Sequence, residues 1–324
     1  MFTGAKYPLS HILPWTWRET AVFAVIAAAP TAVHGLTGSG PALPWQPIAM
    51  IGTAVAFVTG FKNNASYGRL WEARQIWGGI VNNSRGWAML TLDFVGERAV
   101  REELIRRHLA WLTALRYQLR EPRSWENMRR RENEEYRKRY SVAEWDGKIE
   151  AELRERLPEA EAAAVLGKKN LAAHILARQG ETLRGLHAAG ALSEFRHVEM
   201  ERMLLALVEA QGKCERIKNY PYPRQFATLN HLFVWIFILL APLGLVEEFA
   251  RMGLVWLNIP ICVVLAWIIH TLDKIGSVSE NPFEGSPNDV PITALSRTIE
   301  IDLLEYLGEK NPPAALQPAN EILM

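Results

Sequence analysis

Charge and apolar character are segregated along this chain, and the segregation limits the folds open to it. Four runs carry no Asp, Glu, Lys or Arg: Thr20–Val33, Pro44–Phe61, Leu229–Val246 and Met252–Ile269. Between the second and third lies a long charged region, from about Glu97 to Arg224. The last two runs have the ~18–20 residues that a helix needs to cross a bilayer. The first is shorter and rich in alanine. A mean hydropathy close to zero resembles that of a soluble protein, but it averages two unlike kinds of segment. The competing account is four buried core helices of a large soluble protein.

Charges at the run ends favour the membrane. Lys6 and Arg18 precede the first run, and the loop "HGLTGSGPALPWQP" after it has no Lys or Arg. The second run ends at Lys62, Arg69 and Arg74, and Lys213, Arg216, Lys218 and Arg224 precede the third. The connection "EEFAR" is short, and Lys274 follows the fourth run. By the positive-inside rule, both termini and the long middle are expected in the cytoplasm, with four membrane crossings. Trp15, Trp17, Trp45 and Trp71 stand near run ends, as interface anchors do. Pro8 and Pro14 occupy the place of a signal peptide's apolar stretch, so no cleavable signal is expected. The expected division is 1–95 with the first two crossings, 96–225 as a cytoplasmic helical region, 226–272 with the last two crossings, and 273–324 as a cytoplasmic C-terminal segment.

The middle reads as helical. Arg98–Arg120 places Leu104, His108, Trp111 and Leu115 along one face. "SEFRHVEMERMLLALVEAQGKCERI" reads as another long helix, with an uncertain start at Ser193 because no acid completes a capping box. "WENMRRRENEEYRKRY" reads as a solvated helix face, or as a basic surface near anionic lipid. No sustained alternation marks a strand, so an all-α fold is expected.

Several function classes find no support. Basic and acidic residues nearly balance, 36 against 35, and no nucleic-acid partner is expected. The sequence has no HExxH, paired CxxC, glycine-rich phosphate loop or GxSxG, and no enzyme is expected. His174, His187 and His197 are spaced too irregularly for ligands on one helix face, so neither metal nor cofactor is expected. His231 and His270, at run ends, read as interfacial hydrogen-bonding groups. Cys214 and Cys262 lie in unlike segments and are not expected to form a disulfide. The runs hold no acid that would act as a proton relay; Asn230 and Asn258 are their main polar residues.

The second run, about residues 44–61, is rich in glycine, alanine and threonine. Thr53, Phe57 and Phe61 follow one another at four-residue spacing on one stripe. Gly52, Ala56 and Gly60 form a neighbouring stripe of small residues that admits a close helix. Such a helix packs tightly on one side and shows Thr and Phe to something else, either a pore or a further structural contact. One helix cannot enclose a channel, so a pore requires a closed ring of copies. The stripe would then become stacked apolar rings of the kind that gate by dewetting. Asn63 and Asn64 either line a wider vestibule beyond them or bond neighbouring helices. Arg69, Glu72 and Arg74 read as structural ionic contacts.

"FKNNASYGRLWEARQIWGGI" (Phe61–Ile80) resembles the F-x-N-N-x-x-Y-x-R-x-W-E-A-R signature of prokaryotic bestrophins. "CERIKNYPYP" (Cys214–Pro223) and "ENPFEGSPNDVP" (Glu280–Pro291) are similar to two further family segments. The resemblance implies an all-helical homopentamer in a lipid bilayer, passing monovalent ions through one pore. It places Thr53, Phe57 and Phe61 at the membrane neck and a cytoplasmic constriction near Val198. Eukaryotic members are calcium-activated anion channels, and the likeness to the bacterial branch implies cations. Thr53 stands where the family has a bulky aliphatic residue, which would widen or wet the outer neck. Only Glu284 and Asp289 remain of the acids that hold calcium in eukaryotic members, so no calcium dependence is expected. The alternatives are an anion channel of the same fold, a membrane-anchored scaffold and a small-solute transporter.

Overall fold

Proline and glycine set the limits of the apolar helices. The first helix, α1 (Leu9–Thr37), follows Pro8 and stops at Gly38, whose φ of 72° suits glycine and whose N–H donates to the His34 carbonyl. The second, α2 (Trp45–Phe94), follows Pro44 and carries Pro47 in its first turn, where no intrahelical N–H is needed. These elements come from a computed structural model, which describes the backbone of residues 1–324 and every side chain except those of Glu132 and Tyr136.

Ten further α-helices follow among the described residues. They are α3 (Arg98–Arg120), α4 (Glu134–Arg137), α5 (Ala143–Asp146), α6 (Ile149–Arg156), α7 (Glu159–Leu166) and α8 (Leu171–Ala188). After them come α9 (Glu194–Asn219), α10 (Arg224–Arg251), α11 (Asn258–Ser279) and α12 (Ile292–Tyr306). The fold is all-α, with isolated bridges such as Phe2 to Ile322 in place of strands among the described residues.

Among the described residues, three segments are long and apolar enough to cross a membrane: Leu9–Thr37, Arg224–Arg251 and Val255–Ser279. The short first run is thus the centre of a 29-residue helix. The apolar half of α2, expected as a further crossing, is not among the three, because Gly, Thr, Pro and Gln stand where Leu and Ile would raise its hydropathy. It packs on α10 and α11 through a core that includes Ile48, Val55, Val234, Phe237 and Ala266. Asn258 donates to Thr31 Oγ1 at 2.8 Å and to the Pro242 carbonyl at 3.1 Å, which joins α11 to α1 and α10.

Helix α2 does not end with its apolar half. It continues for 50 residues, about 75 Å at 1.5 Å per residue, and its second half is the spine of a separate core. Trp77 and Trp87 of α2 meet Trp111 of α3 there, all fully buried. Helix α3 has the expected limits, with Leu104, His108, Trp111 and Leu115 sealed. Helix α9 begins after Ser193, which makes no side-chain cap. Helix α11 runs through the boundary expected at residue 272, because Asp273 and Lys274 find partners inside the fold.

Two readings need correction. The charged stretch 125–140 is not one exposed helix face: Asn127, Met128, Asn133 and Tyr140 are buried, and only α4 and a 3-10 turn are regular. Glu132 and Tyr136 in that stretch lie outside the described side chains. Trp15 is buried rather than placed as an interface anchor, and its Nε1 donates to Asn133 Oδ1 at 2.9 Å. Apolar content alone does not reveal that a distant loop folds over an indole. Both cysteines are free and buried.

Candidate pore-lining face and its supports

The stripe of Thr53, Phe57 and Phe61 stands on the open side of α2. Phe57 is 66% exposed and Phe61 60%, in a helix that buries Val55, Thr59 and Lys62 on its other side. The two rings meet edge to face with centroids 4.5 Å apart, an arrangement that aromatic quadrupoles favour. Thr53 is exposed too, and its hydroxyl donates back to the Ala49 carbonyl at 2.9 Å. That bond occupies the hydroxyl's proton.

The neighbouring stripe of small residues divides. A Cβ on Gly52 would lie 2.5 Å from the Phe237 ring of α10, so Gly52 permits a close approach inside the protomer. Ala56 and Gly60 are exposed, and nothing within 4 Å would meet a Cβ at Gly60. On α9, Val198 is also exposed. Phe195, about one turn earlier, is 87% exposed and is the most exposed large apolar side chain among the described residues. Sequence reasoning passed over Phe195, although a phenylalanine amid "SEFRHVEM" was a usable signal.

Behind the stripe, α2 is fixed by buried polar groups. Lys62 is only 2% exposed; its Nζ donates to Asp273 Oδ1 at 2.7 Å and to Ser277 Oγ at 2.6 Å. Asn230 Nδ2 donates to the same Asp273 oxygen at 2.7 Å, and Asn230 Oδ1 accepts from Thr59 Oγ1 at 3.1 Å. His231 Nδ1 is 3.0 Å from Asp273 Oδ2. Asp273 therefore joins α2, α10 and α11 at one point. Lys62 was read as a charge at the membrane edge and Asp273 was not singled out; both are parts of this junction. His231 makes the hydrogen bonds expected of it, whereas His270 lies among the rings of Phe23, His231 and Trp235.

The two asparagines part ways. Asn63 Nδ2 donates to the Leu272 carbonyl at 3.1 Å and so bonds a neighbouring helix. Asn64 is exposed on the open side with the phenylalanines. One turn further, Arg69 donates to three backbone carbonyls: Glu280 at 2.8 Å, Tyr220 at 2.9 Å and Ile217 at 2.9 Å. It ties α2 to the ends of α9 and α11. Glu72 pairs with Arg216 of α9, and Arg74 is exposed.

The segment Glu280–Pro291 follows α11 and folds against the loop around Asn127 and Met128. Glu284 is buried and accepts the backbone N–H groups of Asn127 at 2.7 Å and Met128 at 3.4 Å. Burial, followed by the charge of Asp289, pushes the Glu284 carboxyl well above its ordinary range. Burial also raises Asp289, against the opposing pull of Arg120, whose Nη1 is 3.0 Å away. No group of three or more His, Cys, Asp or Glu among the described residues is placed to hold a metal.

Known proteins share this architecture. A bacterial bestrophin homologue from Klebsiella pneumoniae superposes with a TM-score of 0.75 at 24% identity, over 90% of this chain and 97% of that one. A voltage-dependent anion channel-forming protein of Mesorhizobium japonicum is 27% identical over 82% of this chain and 76% of its own length. A protein of the same description in Escherichia coli is 28% identical over 85% of this chain and 84% of its own. The family described as "Bacterial/Fungal Bestrophin protein" matches residues 6–305. With a shared helical architecture and a match across nearly its whole length, the chain belongs to the bacterial and fungal bestrophin family.

Proposed function

We propose that five copies of this chain close into a ring in a bacterial inner membrane, with both termini in the cytoplasm. The ring encloses one pore for monovalent ions. The observation that carries the proposal is the open stripe on α2: two large rings and a threonine face away from the protomer, while the opposite side is locked by Lys62, Thr59 and Arg69. A helix facing lipid would carry Leu and Ile there, as the exposed faces of α10 and α11 do. Five stripes brought together make stacked rings at Thr53, Phe57 and Phe61, an apolar neck that opens and closes by wetting. Ala56 and Gly60 supply the close helix contacts of the ring. Asn64 begins the wider vestibule, and the exposed end of α9, with Val198 and Phe195, forms the cytoplasmic constriction.

The resemblance to bacterial bestrophins led to the expectation of cations. The relatives in Mesorhizobium japonicum and Escherichia coli are described as anion channel-forming proteins instead, and we take the permeant ion to be an anion. No fixed charge lies on the stripe itself, so the choice is made by dehydration and by the entrances. Calcium is not required, and no cofactor or metal takes part.

The test is the mass of the purified assembly by light scattering, followed by the reversal potential in planar bilayers under a KCl gradient, with and without a chelator. A pentamer whose potential lies near the chloride equilibrium value supports the reading. A potential near the potassium value keeps the pore and returns the ion to a cation. A monomer, or a pentamer without current, leaves a membrane-anchored scaffold.

A further inference from the structure

Where the apolar and charged halves meet, the first turns of α10 and the last turns of α11 flank a cleft of about 240 Å³. Its wall includes Arg130, Arg224, Thr228, His231, His270 and Lys274. Arg130 and His231 are open, whereas Lys274 and the acid Asp273, which also lines the wall, are buried. Arg224 is half-buried, while its partner Glu280 is sealed 2.5 Å away. His231 is exposed, while Asp273 behind it is not. Arg130 is exposed, and its guanidinium has no hydrogen bond or ion pair among the described residues.

Two deeper groups form the floor of the cleft. His270 is 6% exposed, and its ring nitrogens have no hydrogen-bond partner among the described residues. Lys274 is ion-paired with Glu19 Oε1 and donates to the Trp15 carbonyl, both at 2.8 Å, with its ammonium over the Trp15 ring, so it adds positive charge at the floor only in part. The cleft also borders the N-terminus of α10, where Pro223 provides no side-chain cap and the first N–H groups add partial positive charge. Cationic clefts between helices on the cytoplasmic side suit phospholipid headgroups. On α10, Phe226 and Leu229 offer exposed apolar surface beside it.

We infer that this cleft is a phosphate-binding site, filled from the inner leaflet by the headgroup of an anionic phospholipid. Arg130 and Arg224 hold the phosphate oxygens from two sides, with Lys274 and Thr228 beneath. The lipid source rests on the reading of α1, α10 and α11 as membrane spans; the phosphate chemistry does not.

The test uses the full-length protein reconstituted in phosphatidylcholine vesicles with and without phosphatidylglycerol, extracted gently and analysed for retained lipid by native mass spectrometry. Phosphatidylglycerol is expected to be retained in preference to phosphatidylcholine. Arg130→Gln is expected to lower that retention about fivefold, the weight of one basic residue near a membrane surface, and Arg130→Glu further. Thr228→Val serves as a second, uncharged variant, with a smaller loss expected. Displacement by inorganic phosphate at low concentration would keep the site and assign it to soluble phosphate. Equal retention in wild type and Arg130→Glu, with no competition by phosphate, overturns the inference. Neither readout depends on current, so failure of the pore reading leaves this test intact.

Discussion

Lys62 Nζ stands 2.7 Å from Asp273 Oδ1, across 211 residues of sequence, and both side chains are almost sealed from solvent. The pair holds α2 in a fixed rotation against α11, and that rotation keeps Phe57 and Phe61 on the open side. Removing one partner strands a buried charge. Lys62→Met is therefore expected to cost about 3–5 kcal/mol, measured by denaturation in detergent. Lys62→Met with Asp273→Asn is expected to lose less than Lys62→Met alone, because no uncompensated charge remains. A double variant less stable than the single would contradict this account of the pair.

Arg69 donates to three carbonyls that belong to the ends of two other helices. A lysine ammonium cannot span the three positions as a planar fork does. Arg69→Lys is expected to cost about 1–3 kcal/mol and to loosen the Glu280–Pro291 segment, read as faster hydrogen exchange there. Unchanged exchange would remove Arg69 from this role.

The two glycines of the small-residue stripe are expected to behave differently. Gly52→Ala forces a methyl against the buried Phe237 ring, and overpacking of that kind costs about 1–3 kcal/mol. Gly60→Ala meets open space within the protomer and should spare its stability while weakening assembly of the ring. Melting curves separate the first effect, and light scattering the second.

Glu284 has a native pKa raised above its ordinary value of 4.5, chiefly by burial. The folded state therefore holds a proton that the unfolded state releases once the pH passes 4.5. Its contribution is present below that value and is lost as pH rises toward the native pKa. Glu284→Gln, which keeps an oxygen for the Asn127 and Met128 N–H groups, should be more stable than wild type at neutral pH and no better near pH 4.5. A wild-type advantage at neutral pH would mean that the carboxylate is ionised in the fold.

The sequence made the long helices α1, α2, α3, α9, α10 and α11 legible and hid the junctions between them. Apolar runs, prolines and the Phe61–Ile80 motif carry local information, and they located α1, α2, α10, α11 and the stripe. Helix periodicity was equally local and gave α3 its limits and its buried face. Lys62 was misread because a lysine at the end of an apolar run has one statistical meaning, at the water boundary, until its partner is known. Asp273 lay just beyond the fourth run and was set aside with it. Trp15 and Asn133 show the same limit, since an indole and an amide 118 residues apart reveal their bond only in the fold.

In the proposed channel, Phe57 and Phe61 form the wall of the pore. Single-channel recording of Phe57→Ala, Phe61→Ala and the double variant in planar bilayers tests this most directly. Each truncation widens and wets the neck, so open probability or unit conductance should rise in both single variants and most in the double. Currents indistinguishable from wild type in all three, from assemblies of unchanged mass, would contradict the claim.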